Sequence, residues 1–499
     1  MFPRPRPDIV ANTAAYETTP LIKPSGFREY DARWLLGEEI SLLGIQAVGL
    51  GLGTYFGEQG ERRVVVGHDF RSYSLSVKQA LILGLVTAGC EVLDIGLCVT
   101  PTAYFAQFEL AAPCVAMVTA SHNENGWTGV KMGAEAPLTF RPDEIERLKE
   151  IVLSGAFKER PGGSVAKVEG ISERYIADVA SRCALGRPLK LVCACGNGTA
   201  GAFAPEALRR MGAQVIELDC ELDWTFPRYN PNPEDEAMLA AMRTAVAAHG
   251  ADLALGFDGD GDRCGVVDDT GEAIFADKIG LMLARDLAPA NPGARLVVDV
   301  KSTGLYATDP VLAEHGISTI YWKTGHSYIK RKTAEMGALA GFEKSGHFFF
   351  SPPFGHGYDC GLTAAAAILS MLDRNPGARL SQLKNALPPA YSSLTMSPRC
   401  GDEVKYDVVE RVTAQYQNLA ARGGRILGRA IAELVTVNGV RVALDDGSWL
   451  LVRASSNKPE LVVVVESMRG VDDMRALFHK EVKPRLGQIP EVGDYNQEV

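Results

Sequence analysis

Long apolar runs are missing from this chain. The longest uncharged stretch, Ile40 to Gly57, is interrupted by five glycines and by Ser41, Gln46 and Thr54. A membrane crossing needs roughly 20 predominantly apolar residues, so none is expected. An excess of positive charge is missing too. Lys and Arg number 51 against 61 Asp and Glu, a formal charge of −10, which excludes a broad field for nucleic acid or an acidic membrane surface. The ten cysteines are scattered, and a chain of 499 residues needs no disulfide framework, so reduced thiols are expected. Cys193 and Cys195 form a C-x-C in an apolar run, a spacing that suits neither the common redox pairs nor the zinc pairs. They read as buried strand thiols. The opening MFPRPRPDIVANT has two arginines and no apolar core of a secretory signal, and a cytoplasmic location is expected. What the chain does have is 46% hydrophobic and 22% charged residues. That is the balance of a soluble globular protein, with length for about three domains.

One unit occurs three times: a β-branched run, a turn of small or polar residues, a helical stretch stopped by Gly, and a second apolar run. The first copy is VVVGHDFRSYS, a helix from Val77 to Ala88, Gly89 and EVLDIG; the second is LKLVCACGNGTAG, a helix through Glu206 to Met211, Gly212 and QVIELD; the third is RLVVDVKSTG, a helix ending before Gly316, and ISTIYW. Apolar strands alternating with helices imply mostly parallel sheets covered on both faces. Copies about 100 residues apart predict related domains rather than a solenoid. The last stretch differs. A helix near Tyr406 to Ala421 precedes short alternating strands, with Asn438-Gly439 and Asp446-Gly447 as hairpin turns. The fold class expected is α/β: three related α/β domains with mixed, mostly parallel sheets around a central cleft, plus a smaller C-terminal α+β domain. The boundaries expected are 1–162, 163–272, 273–389 and 390–499, with a hinge near Pro388–Pro389.

Four loops carry chemistry. Asp258-Gly-Asp260-Gly-Asp262-Arg263 lies between the apolar runs LALGF and CGVVDD. Three carboxylates at alternate positions repel unless a cation gathers them, and Mg²⁺ takes such an oxygen shell. An EF-hand would need Gly and Glu where Arg263 and Asp269 stand. Thr119-Ala120-Ser121-His122-Asn123 follows the strand run CVAMV, which places a hydroxyl at the sheet edge where α/β folds bind ligands. It reads either as a nucleophilic Ser or as a helix cap. Glu343-Lys-Ser345-Gly-His347 would share one face of an extended segment and grip sugar hydroxyls. Arg453-Ala-Ser455-Ser456-Asn457-Lys458 resembles an anion cradle. A fifth tract, GNGTAG from Gly196, follows a strand and opens a helix, with Glu217 and Asp219 downstream; this is the dinucleotide fingerprint in the right setting. The other two units have no such glycine pattern at that turn.

In this order, the loops resemble those of the α-D-phosphohexomutase superfamily, most of all its bacterial phosphomannomutase/phosphoglucomutase group, over nearly the whole chain. FREYDAR resembles that family's N-terminal signature. The resemblance implies a Mg²⁺-dependent mutase that interconverts the 6-phosphate and 1-phosphate of mannose, and of glucose, through a phosphoserine. A sugar 1,6-bisphosphate (glucose 1,6-bisphosphate) is the implied intermediate and activator. Ser121 would carry the phosphoryl group, and Asp258, Asp260 and Asp262 would join it in holding Mg²⁺. Glu343 and Ser345 would select hydroxyls, and Arg453, Ser455, Ser456 and Asn457 would hold the non-reacting phosphate. Arg263, Lys301, His326 and His347 match positions lining the reaction centre, with Lys301 or His326 assisting proton transfer. Tyr30 and Arg33 match a substrate-contacting segment. The implied partner is a small phosphosugar, with no nucleic acid or membrane, acting on a monomer or homodimer. Glu124 replaces a common Pro after the serine loop, and Cys360 replaces a common acid beside Asp359. Phosphoglucosamine mutase and an NAD(P)-dependent oxidoreductase built on the GNGTAG turn are the alternatives.

Overall fold

A computed structural model of the chain describes residues 2–455 and 458–499. The chain folds into two compact units, each discontinuous. One runs to Phe275 and takes in Ser345–Ser381; the other comprises Ala276–Lys344 and Gln382–Val499.

The first unit contains two mixed sheets. In the larger, Cys114–Val118, Arg63–His68, Glu91–Leu97 and Ser164–Lys167 run parallel in that order. Trp127–Gly133 and Ala32–Leu35 extend it as antiparallel strands. In the second, Leu253–Phe257, Lys190–Ala194 and Gln214–Leu218 are parallel, and Cys264–Asp268 pairs antiparallel with Leu253–Phe257. Strand Cys114–Val118 is buried at every position, as its uninterrupted apolar run requires.

The glycine-rich stretch that cannot span a membrane is the buried helix Leu42–Glu58, capped by Ser41, whose hydroxyl accepts from Gly44 N at 3.1 Å. Its glycines let a second helix, Ser74–Thr87, approach to backbone contact. A Cβ at Gly84 would stand 2.1 Å from Gln46 O, and one at Gly49 would stand 2.2 Å from Leu81 O. No helix among the described residues is long and apolar enough to cross a membrane.

The second unit holds parallel strands Ser318–Trp322, Arg295–Asp299 and Ala340–Glu343 in that order, and an antiparallel sheet of six strands from Tyr391 to Ser467. Both hairpin turns lie where the sequence puts them, between Arg429–Val435, Val440–Leu444 and Trp449–Ala454. The third repeat departs from expectation: its helix is two short pieces, Leu305–Thr308 and Pro310–Glu314. Pro310 cannot donate backward into the first helix, so it begins a new one capped by Asp309. The two sheets of this unit are joined by buried Arg441. Its guanidinium is stacked 4.0 Å from the Tyr321 ring centroid and 3.8 Å from that of Trp449. It also donates to Val300 O and Ser302 O at 2.7 and 2.9 Å. Glu466 accepts from Thr303 Oγ1, Gly304 N and Trp449 Nε1 at 2.7–2.9 Å. The stretch expected to hinge at Pro388–Pro389 lies inside this unit.

Gly84→Ala tests the helix contact. The added methyl has only backbone to push against, so a loss of about 1–3 kcal/mol in unfolding free energy is expected, read from urea titration. Unchanged stability would show that the helices separate freely.

Candidate active site

The site in the first unit is built on strand ends. Ser121 follows buried strand Cys114–Val118 with φ of +51°, a left-handed conformation that costs a non-glycine residue and needs support. Buried Asp69 supplies it. Its carboxylate accepts from Arg71 Nη1 at 2.5 Å, Ser74 Oγ at 2.5 Å, Thr119 Oγ1 at 2.9 Å and Ala120 N at 3.3 Å. Arg71 in turn donates to the carbonyls of Ser121 and Asn123 at 3.2 and 2.6 Å. The serine loop is therefore held from both sides by one ion pair.

The acidic loop meets it. Ser121 Oγ donates to Asp258 Oδ2 at 3.1 Å and lies 3.3 Å from His122 Nδ1. Gly259 makes the approach possible, because a Cβ there would stand 2.5 Å from Ser121 O. Asp258 also accepts from Arg263 N and Nε at 3.1 and 3.0 Å. Asp260 accepts from Thr100 Oγ1 at 2.6 Å and from Lys131 Nζ at 2.7 Å, and Lys131 also donates to Asp262. All three carboxylates are fully buried.

Their charges are unequal in consequence. Burial alone would raise Asp260, but Lys131, Thr100 and Arg33 outweigh it and hold the carboxyl well below its ordinary value. Asp262 is pushed up to about 7 by burial and by the charge of Asp260 beside it, against Lys131. The Lys131 ammonium is held well above its usual range by Asp260 and Asp262, which overcome its burial. Arg263 and burial push the His122 imidazole well below its ordinary value, so it is neutral beside Ser121.

The acidic group fits a divalent cation. One oxygen from each Asp lies within 4.8 Å of the others, and Asp260 Oδ1 and Asp262 Oδ1 are buried without a hydrogen-bond partner. An all-oxygen, net-negative donor set is what a hard cation takes. His347, at the start of strand His347–Phe350, brings Nδ1 to 3.2 Å from Asp359 and 3.9 Å from Asp262. Arg33 donates to Asp31 at 2.8 and 3.0 Å and to Asn123 Oδ1 at 2.7 Å, which sets it on the serine loop. Tyr30 is half-buried just before it.

Other sequence-derived candidates lie in the second unit. Lys301, His326 and Glu343 follow or end three adjacent parallel strands at their C-terminal edge, where α/β sheets present ligand-binding groups. Asp299 organises that edge: it accepts from Ser302 Oγ at 2.6 Å and Thr324 Oγ1 at 3.2 Å, and Lys301 Nζ lies 3.9 Å away. Arg453 is the penultimate residue of strand Trp449–Ala454 and Ser455 follows it; Arg453 Nη1 donates to Ala454 O at 2.9 Å. Ser456 and Asn457 lie outside the described residues. Glu343, Ser345 and His347 do not share one extended segment as expected. Glu343 ends one strand and His347 begins another, with a turn between them at Gly346, whose φ is +106°.

Lys131, Asp69, Arg71 and Thr100 were outside the candidate set. For Lys131 the signal was available: a lone Lys in the otherwise uncharged strand WTGVKMG is buried only when paired. The GNGTAG turn is spent on the protein. Asn197 N donates to Asp219 O, Gly198 N to Cys195 O, and Thr199 N to Gly259 O at 3.0 Å. Those donors are taken, which disfavours the dinucleotide reading.

Known proteins resemble this chain along nearly its full length. The phosphoglucomutase/phosphomannomutase alpha/beta/alpha domains I, II and III match residues 24–159, 173–271 and 275–391. A phosphomannomutase/phosphoglucomutase of Pseudomonas syringae pv. tomato is 34% identical over 93% of this chain and 96% of its own. A probable phosphoglucosamine mutase of Methanothermobacter thermautotrophicus is 31% identical over 94% and 99%. The crystal structure of a phosphoglucomutase/phosphomannomutase family protein from Burkholderia thailandensis superimposes with a TM-score of 0.84 at 30% identity, covering 95% of this chain and 100% of that one. With three consecutive domain matches and a relative aligned along almost its entire length, the chain belongs to the phosphoglucomutase/phosphomannomutase family.

Proposed function

We propose that the protein is a Mg²⁺-dependent phosphohexose mutase. It interconverts the 6-phosphate and 1-phosphate of mannose, and of glucose, through a phosphoserine at Ser121 and a sugar 1,6-bisphosphate. One contact carries the assignment: Ser121 Oγ, 3.1 Å from Asp258, stands against three buried carboxylates. A serine there can bear a phosphoryl group only if cations offset its charge of about −1.5 to −2.

Asp258, Asp260 and Asp262 would hold the Mg²⁺. When bound, the ion acts as a Lewis acid that offsets charge on the transferring phosphoryl group. The chain's own residues do the rest. Asp69 and Arg71 fix the backbone on either side of Ser121. Arg263, pinned by Asp258, stays charged and stabilises phosphoryl oxygens. Neutral His122 bears no charge that would compete for the serine oxygen. The sugar hydroxyl attacks the phosphoryl group as the Ser121 Oγ–P bond breaks, and the hydroxyl's proton, transferred with the assistance of Lys301 or His326, ends on Ser121 Oγ. The bisphosphate then turns end for end, so that one serine serves both C1 and C6. Glu343, Ser345 and His347 read the hydroxyls, Tyr30 and Arg33 meet the substrate, and Arg453, Ser455, Ser456 and Asn457 hold the phosphate that does not react.

Ser121→Ala is expected to lower mutase turnover by roughly 10⁴-fold or more, even with glucose 1,6-bisphosphate added; near wild-type turnover would exclude the phosphoserine. Freshly purified protein should carry the mass of one phosphoryl group mapped to Ser121. Asp260→Asn should raise the Mg²⁺ concentration for half-maximal activity by at least about tenfold, and an unchanged requirement would remove the metal assignment. A parallel assay of mannose, glucose and glucosamine 1-phosphates separates this reading from phosphoglucosamine mutase, for which the glucosamine substrate would dominate.

Lys131→Met leaves buried carboxylates uncompensated. A destabilisation of about 3–5 kcal/mol is expected. Mg²⁺ should restore more stability to the variant than it adds to the wild type, in urea titrations with and without the ion. Equal stability of the two proteins without Mg²⁺ would show that Lys131 does not carry the compensation.

A further inference from the structure

Behind the acidic loop, the second sheet of the first unit gathers three thiols. Cys193 and Cys195 stand two residues apart at the end of strand Lys190–Ala194, so their side chains leave the same face. Cys220 lies 25 residues further on, as 220 − 195 gives. Parallel pairing of Cys193 with Glu217 and of Ala194 with Leu218 carries it alongside. The sulfurs of Cys193 and Cys195 are 3.8 Å apart, Cys220 Sγ donates to Cys193 O at 3.2 Å, and all three sulfurs lie within 4.8 Å of one another. Cys193 and Cys195 are fully buried, while Cys220 retains 7% exposure and is the way in.

The surroundings decide what such a group can hold. Among the described residues no carboxylate or imidazole joins it. Glu217 is held by Arg209 at 2.5 Å and Asp219 by Arg228 at 2.8 Å. Structural zinc is almost always four-coordinate, and three thiolates on a monovalent or divalent ion would bury net negative charge at a high cost. A disulfide between Cys193 and Cys195 is poorly placed, since residues two apart on a strand sit about 6.6 Å apart, at the edge of the bridgeable range. A trivalent thiophile balances three thiolates with no net charge.

We propose that Cys193, Cys195 and Cys220 form a binding site for trivalent arsenic, taken up as arsenous acid. Three As–O bonds break and three As–S bonds form. Each departing hydroxide takes one thiol proton, so three waters leave and no oxidation state changes. The site adjoins the acidic loop. Cys195 opens the turn whose Thr199 donates its N–H to Gly259 O at 3.0 Å and accepts from Phe70 N at 2.9 Å.

The test uses the full chain with Mg²⁺ and a monothiol competitor. One equivalent of arsenite should add the mass of one arsenic less three hydrogens, and should shield Cys220 from iodoacetamide in peptide mapping. Cys220→Ser should lose at least about tenfold in apparent affinity while keeping mutase turnover, and Cys400→Ser should lose none. Absence of the adduct on the folded wild type, an unshielded Cys220, or equal affinity in Cys220→Ser would overturn the proposal. The shielding measurement needs no variant and decides the question even if Cys220→Ser fails to fold.

Discussion

Three carboxylates cannot share a dry loop without a reason. Asp258, Asp260 and Asp262 are fully buried within a few ångströms of one another, where low dielectric magnifies repulsion. The rest of the first unit answers that constraint. Lys131 is threaded into the gap between two of them, Arg263 folds back onto the third, and Thr100 reaches in from the start of helix Thr100–Glu109. The compensation is incomplete: burial and the charge of Asp260 push Asp262 up to about 7, and two oxygens are left unsatisfied. That residue of imbalance is what gives a cation a place to go. The fold stores the demand for a metal as electrostatic strain, with the reacting hydroxyl beside it.

The same logic explains the scaffolding around Ser121. A serine whose backbone is left-handed must be over-determined, and Asp69 does this by collecting donors from four residues in two stretches of chain. Strand ends provide the positions. The serine, the acidic loop and the Lys301, His326 and Glu343 group each leave the C-terminal edge of a strand. There the sheet stops covering its own ends and side chains become available to ligand.

Much of this was legible beforehand. Near-continuous apolar strands, glycine stops and the change to alternating strands after Pro388–Pro389 announced the sheets, because burial on one or two faces writes itself into local periodicity. The acidic loop and the serine were legible because their chemistry is concentrated in a few consecutive residues. Asp69, Thr100 and Cys220 were not, since the partners that matter lie far off in sequence, Thr119 and Ala120 for Asp69, Asp260 for Thr100 and Cys193 for Cys220. Lys131 was marked as a paired lysine by its uncharged strand, but nothing local names Asp260 and Asp262 as its partners. The turn between Glu343 and His347 was missed for a related reason. Gly346 at positive φ breaks what would otherwise read as one extended segment. The split helix near Pro310 was visible as a proline and still passed over, because an apolar pattern continued across it.

Arg441 has a consequence for the order in which the chain can be made. Its guanidinium lies between Tyr321 and Trp449 and binds the carbonyl of Val300, a residue synthesised 141 positions earlier. At the ribosome, the parallel strands of the second unit therefore emerge long before the cation that joins them to their partner sheet, while Ser345–Ser381 departs to the other unit in between. For that interval, aromatic surface and backbone carbonyls that end up buried are open to water. Such exposed surface is prone to aggregation, and a ribosome that stalls before Arg441 leaves a fragment that lacks the cation joining its sheets.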